Sequence, residues 1–164
     1  MVYFVTICLI FFVFSTPTYL AHNYPASHVC KYVGWSYYPP TGACYGVGVQ
    51  PTKGSWSDAE KYCQGFDANL ASIHSAEELR HIISYVCVAW NNTWTGIYKK
   101  NGIWEASDAT EADFIKYGRW CKGHPTEYND ERCVGIGYDG NDPCYFDANC
   151  FGDEMITFCK KQMF

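Results

Sequence analysis

Ten cysteines stand in a chain of 164 residues, and no two of them form a C-x-x-C pair. That combination constrains the fold more than any other feature. One cysteine, Cys8, lies in an uncharged apolar leader; the others are Cys30, Cys44, Cys63, Cys87, Cys121, Cys133, Cys144, Cys150 and Cys159. Nine such residues in a chain bearing a leader imply an oxidising compartment and a domain stapled by disulfides. Zinc clusters and thioredoxin-like redox pairs are disfavoured, because both use closely spaced cysteine pairs. An odd count leaves one thiol unpaired or joined to another chain.

The leader, residues 1–21, contains no Asp, Glu, Lys or Arg, and its apolar run over 2–14 is too short to span a bilayer. Ser15-Thr16-Pro17 follows at once, which is the pattern of a signal peptide with Ala21 as a plausible cleavage point. The alternative is an uncleaved anchor. The expected product is secreted, extracellular and without a membrane span. Residues 22–29 form a short lead, 30–161 one domain and 162–164 a tail. The net charge of -5, with no Lys/Arg run, argues against nucleic acid as a partner.

Within the domain, Pro39-Pro40-Thr41-Gly42 reads as a hairpin turn between aromatic runs, with Cys30 and Cys44 flanking it as a clasp. The capping-box pattern Ser57-Asp58-Ala59-Glu60, preceded by Trp56, opens a predicted helix with Ala59, Tyr62, Cys63 and Phe66 on one face. Ser75-Ala76-Glu77-Glu78 opens a second, with Leu79, Ile82, Ile83 and Val86 at helical spacing. Strands are expected over 94–98, 103–106, 133–138 and 155–159, the first two joined by the Asn101-Gly102 turn. The rest of 120–150 is rich in Gly, Pro, Asn and Asp and reads as loop. The order gives an α+β domain.

Taken in sequence, these landmarks resemble the C-type lectin-like domain. They are Cys44-Tyr45, Trp56-Ser57-Asp58-Ala59 with Cys63, and Asn69-Leu70-Ala71-Ser72-Ile73. Trp94-Thr95-Gly96, Gly102-Ile103-Trp104, Trp120, Gly123-His124-Pro125, Cys133-Val134, Cys150 and Phe158-Cys159 complete the match. The resemblance implies two helices, two small antiparallel sheets and a long loop, here about 108–132. It implies disulfides Cys63–Cys159 and Cys133–Cys150, with Cys30–Cys44 as the clasp of the long form. Cys121 and Cys144, both at the base of the long loop in that architecture, are the expected fourth pair. Cys87 is left over, as a buried thiol or the link of a disulfide-bonded dimer.

The resemblance also locates a site. Sugar-binding members hold calcium with a Glu-Pro-Asn or Gln-Pro-Asp triplet, a Glu before a cysteine and an Asn-Asp pair. Here the triplet reads His124-Pro125-Thr126, the Glu is Glu131, and the pair is Phe146-Asp147 after Tyr145. Calcium wants six to eight hard oxygens; Glu131 and Asp147 alone survive as residual ligands. No cofactor is therefore required, although calcium stays an alternative. His124 with Glu131 and Asp147 would suit zinc better; a solvated His124 with both acids bonded to backbone is the plainer reading. The loop acids Asp108, Glu111, Asp113, Glu127 and Asp130 could hold an accessory calcium or simply face solvent. Tyr128, Tyr145 and Phe146 offer rings for a sugar or a protein partner, whereas Trp56, Trp94, Trp104 and Trp120 fall at core positions of the family.

The expected function is a binding module that takes a glycan or glycoprotein at His124, Thr126, Glu131, Tyr145, Phe146 and Asp147 without the usual calcium-dependent site. A protein-binding domain without sugar activity and a weak calcium-dependent lectin are the alternatives. No G-x-S-x-G or H-E-x-x-H motif supports an enzyme. Asn91-Asn92-Thr93 is a glycosylation sequon.

Overall fold

The structure, a computed structural model, describes residues 30–47, 52–86, 92–127 and 132–163. The leader and lead, Cys87, the Asn91 acceptor, Tyr128, Asp130 and Glu131 lie outside these residues.

Among the described residues, two sheets and two α-helices make up the domain. Strands β1 (Ser36–Tyr38) and β2 (Ala43–Gly46) form the expected hairpin. With β4 (Asn69–Leu70) and β10 (Cys159–Gln162) they give a four-stranded sheet ordered β1-β2-β10-β4. The larger sheet contains β3 (Lys53–Gly54), β5 (Thr93–Lys100), β6 (Ile103–Ala106), β7 (Arg132–Asp139), β8 (Asp142–Asn149) and β9 (Met155–Ile156). Its order is β3-β9-β5-β7-β8, with β6 paired to β5. Helices α1 (Trp56–Gln64) and α2 (Ala76–Val86) complete the fold.

Three local expectations are corrected. The α1 cap is Ser55, not Ser57: its Oγ accepts the Asp58 N–H and donates to Asp58 Oδ2. Glu60, freed from a capping role, is buried and accepts from Leu70 N and Asn69 Nδ2, at 2.8 and 2.6 Å, tying α1 to β4. The closing strand is two strands in different sheets, because the chain crosses between them at Thr157-Phe158. Residues 142–149, expected as loop, form a full strand antiparallel to β7. Pro143 is tolerated there because β8 is the last strand of its sheet and needs no donor on its outer side.

The disulfides are Cys30–Cys44, Cys63–Cys159, Cys121–Cys144 and Cys133–Cys150. Two cores flank the sheets. One gathers Tyr45, Ile73, Ile82, Ile97, Phe114, Val134, Ile136, Tyr145 and Phe158. The other gathers Trp35, Leu70, Trp94 and Met155 around the Cys63–Cys159 and Cys133–Cys150 cystines. Trp56, Trp104 and Trp120 pack at their margins, and Trp94 is fully inside. Gly96 is required where β5 passes under β4, since an added Cβ would sit 2.5 Å from the Leu70 carbonyl oxygen.

Glu78 and Lys160 form an ion pair buried in this frame. Glu78, in the first turn of α2, has no exposed side-chain surface and meets Lys160 Nζ of β10 at 2.7 Å. The same carboxylate accepts from the Tyr45 hydroxyl and from His74 N. Lys160 also donates to Ser72 O and Oγ. Helix α2, β2 and β10 are thereby fastened at one point, and burial together with Glu78 pushes the Tyr45 hydroxyl pKa well up.

Candidate functional site

The long loop leaves β6 at Ala106 and returns at Arg132, and its base is fixed before its tip is considered. Trp120 makes a parallel bridge to Tyr145 beside β8: Cys121 N donates to Tyr145 O at 2.7 Å and Tyr145 N to Arg119 O at 2.8 Å. The Cys121–Cys144 disulfide closes the same junction. From there 123–127 turn across the end of β8, with a cis peptide between His124 and Pro125, and line an open depression of about 590 Å³.

Asp147 is the centre of this face. It stands opposite Val134 in the β7–β8 ladder, so Arg132, paired with Asn149, is its diagonal neighbour on one side of the sheet. Only 1% of the Asp147 side chain is exposed, yet its two oxygens have four donors. Oδ1 accepts from His124 Nδ1 at 2.6 Å and from Thr126 N at 2.8 Å. Oδ2 accepts from the Thr126 hydroxyl and from Arg132 Nε, the latter at 2.9 Å. Arg132 also donates through Nη2 to Asp147 O at 3.0 Å. A carboxylate offers about four lone-pair positions, and here all are used.

Burial alone would raise the Asp147 carboxyl; the bonds from Thr126, His124 and Arg132 outweigh it and lower its pKa to about 2. A carboxyl depressed in the folded state stabilises above its unfolded value near 3.8 and loses that contribution as pH falls toward 2. Asp147→Asn protein should therefore lose much of the wild type's dependence on pH between about 4 and 2. Urea midpoints at a series of pH values measure this; curves of equal slope would contradict it.

Of the residues singled out from sequence, His124, Thr126 and Asp147 do converge. Phe146 faces the other side of β8, its ring over Gly135 and Gly137, and reaches His124 only at the edge, 5.9 Å between ring centroids. Tyr145 is corrected: 1% exposed, it packs against Phe114 and Trp120 inside the core and presents no ring to a ligand. Arg132 was missed. Its signal was a cation beside Cys133 on the strand facing Asp147.

The donor set does not fit calcium. Every described neighbour of the Asp147 oxygens is a hydrogen-bond donor, one a fixed cation, where calcium needs free oxygen lone pairs. Zinc fares no better at the described pair, since His124 Nδ1 and Asp147 bond to each other. The loop acids do not converge either. Asp108 accepts from Ser72 and Thr110, Asp113 from His74, and Glu111 from Lys116. Among the described residues, Cys121, Asp139 and Cys144 also lie close together. The sulfurs form a disulfide and Asp139 accepts from Arg119 and Lys122 N, so no thiolate is on offer.

A second polar cluster borders a cleft of about 790 Å³ lined by His74, Glu78, Asp108, Thr110 and Lys160, among others. His74 lies 2.8 Å from Asp113 through Nδ1 and 3.0 Å from Ser72 Oγ through Nε2, a chain that looks like a hydrolase triad. It cannot act as one. Ser72 is fully buried, gives its proton to Asp108 and accepts from Lys160.

Residues 52–160 match the family described as the Lectin C-type domain. C-type lectin BML-1 of Bungarus multicinctus is 38% identical over 106 residues, which are 60% of this chain and 64% of that protein. Asialoglycoprotein receptor 1 of Rattus norvegicus is 30% identical over 121 residues, 73% of this chain and 38% of the receptor. The chain thus spans less than two thirds of the length of either relative. Among solved structures, a calcium-independent type II antifreeze protein aligns with TM-score 0.65 and 28% identity, covering 82% of this chain and 95% of the other. The C-type lectin domain of murine dendritic cell inhibitory receptor 2, solved in complex with N-glycan, aligns with TM-score 0.69 over 82% of this chain and 99% of its own. At 24% identity that likeness concerns the fold alone. Helices, sheets, cystines and sequence lead to one assignment: the chain belongs to the C-type lectin domain family.

Proposed function

We propose that this protein is a secreted, non-enzymatic binding module that recognises a carbohydrate or glycoprotein on the long-loop face without calcium. The observation that carries the reading is the saturated Asp147 carboxylate, balanced by Arg132 instead of a metal. The surface left for a ligand is the depression of 123–127, with the half-buried His124 ring on its wall. Polar hydrogen-bonding edges beside a ring are what a sugar needs for orientation and stacking. The lectin relatives support the ligand class. No helix among the described residues is long and apolar enough to cross a membrane. Removal of residues 1–21, a glycan on Asn91 and a Cys87 that is a buried thiol, with a Cys87-linked dimer as the alternative, belong to the same proposal.

A glycan array probed in calcium and again in EDTA tests it. Binding of equal strength in both is expected, weakened about tenfold by His124→Ala, equivalent to about 1.4 kcal/mol. Binding abolished by EDTA overturns the reading. A silent array favours a protein ligand, for which a second surface speaks. Phe151, 68% exposed, borders a groove with Trp56, Tyr98, Lys99 and Lys100. Its turn is held by two bonds to Asn149 Oδ1.

A further inference from the structure

We propose that the Arg132 guanidinium is the resident cation of the long-loop face, doing permanently and from within the chain what a bound divalent ion would otherwise do. The inference rests on the calcium-free part of the proposed function and not on the identity of any ligand.

The argument is one of charge and of oxygen types. A carboxylate with 1% exposure needs a positive partner, since an uncompensated buried charge is strongly unfavourable. Hard cations select carboxylate and backbone carbonyl oxygens. Arg132 holds one of each from the same residue: Asp147 Oδ2 at 2.9 Å and Asp147 O at 3.0 Å. A guanidinium can do this because its donors are fixed in one plane at set angles, which a single ammonium cannot copy. The guanidinium cannot deprotonate in a protein and cannot diffuse away. His124 and Thr126 then take the remaining lone pairs, so the 123–127 turn is shaped around a charge that is always present. Ligand-binding geometry is in this way made independent of ion concentration.

The consequence is specific to Arg132→Gln. That change leaves Asp147 Oδ2 and the carbonyl oxygen without their cation while keeping a nitrogen as far along the side chain as Nε. Thermal unfolding in 10 mM calcium chloride and in EDTA, without glycan, reads the outcome. Wild type should melt at the same temperature in both. Arg132→Gln should melt about 10 °C lower in both, since two freed oxygens fall short of the six to eight that calcium wants. Arg132→Lys, which keeps the charge but not the planar pair of donors, should recover part of the loss, which keeps the test available if the glutamine variant does not fold.

Two results overturn the inference: an Arg132→Gln protein as stable as wild type, or an Arg132→Lys protein no more stable than Arg132→Gln. A wild type stabilised by calcium would instead defeat the calcium-free reading. Failure of glycan binding alone touches neither variant's melting curve.

Discussion

Protein with Cys63 and Cys159 both replaced by alanine should lose about 4–5 kcal/mol of stability, close to the whole margin of a marginal domain. The bond closes a separation of 96 residues, and most of its contribution comes from chain entropy withheld from the unfolded state. Replacing both sulfurs avoids leaving an unpaired, reactive thiol. Cys133–Cys150 is the internal control: it closes only 17 residues, for which the same account gives about 3 kcal/mol. Urea titrations of the two double variants under one buffer compare them directly. Equal losses would mean that packing in the shared core sets the cost, since both cystines lie in the same cluster with Trp94 and Leu70.

Lys160→Met should cost about 3–5 kcal/mol, because it strands a Glu78 carboxylate that has no exposed side-chain surface. The effect is larger than that of a surface ion pair, which is worth about 0–1 kcal/mol. Adding Glu78→Gln should recover most of the loss. The amide oxygen still accepts from Tyr45 or His74 N, and no buried charge remains. A double-mutant cycle by chemical denaturation supplies the coupling, and a double variant no better than Lys160→Met would show that the cost was lost packing of the lysine stem.

Those two positions also show how legibility varied along the chain. Both helices could be read because apolar residues recur at 3.6 spacing and Ser75 caps where a Ser-x-x-Glu pattern says it should. At α1 two serines compete: Ser55 caps through its own Ser-x-x-Asp spacing to Asp58, while Glu60 is held by Leu70 and Asn69, tertiary contacts invisible to local pattern. Strand β8 was hidden by composition: Asp142, Pro143, Asp147 and Asn149 are poor strand formers, but β7 supplies a full ladder on one side. At the site, the resemblance directed attention to where oxygens are expected, and so to His124, Thr126 and Asp147. It gave no position to Arg132. Its role depends on strand register, which brings Arg132 and Asp147 diagonal across a hairpin.

The pairing of Trp120 with Tyr145 has a consequence beyond the site. β8 would otherwise present a bare row of main-chain groups, the kind of edge along which separate copies join into extended sheets. The base of the long loop lies over that row at its middle, bonded through Cys121 and Arg119 and locked by a cystine. Sequence change in 122–127 can then reshape this face while the cover stays in place. The face can vary in sequence without a rise in the tendency of the domain to self-associate.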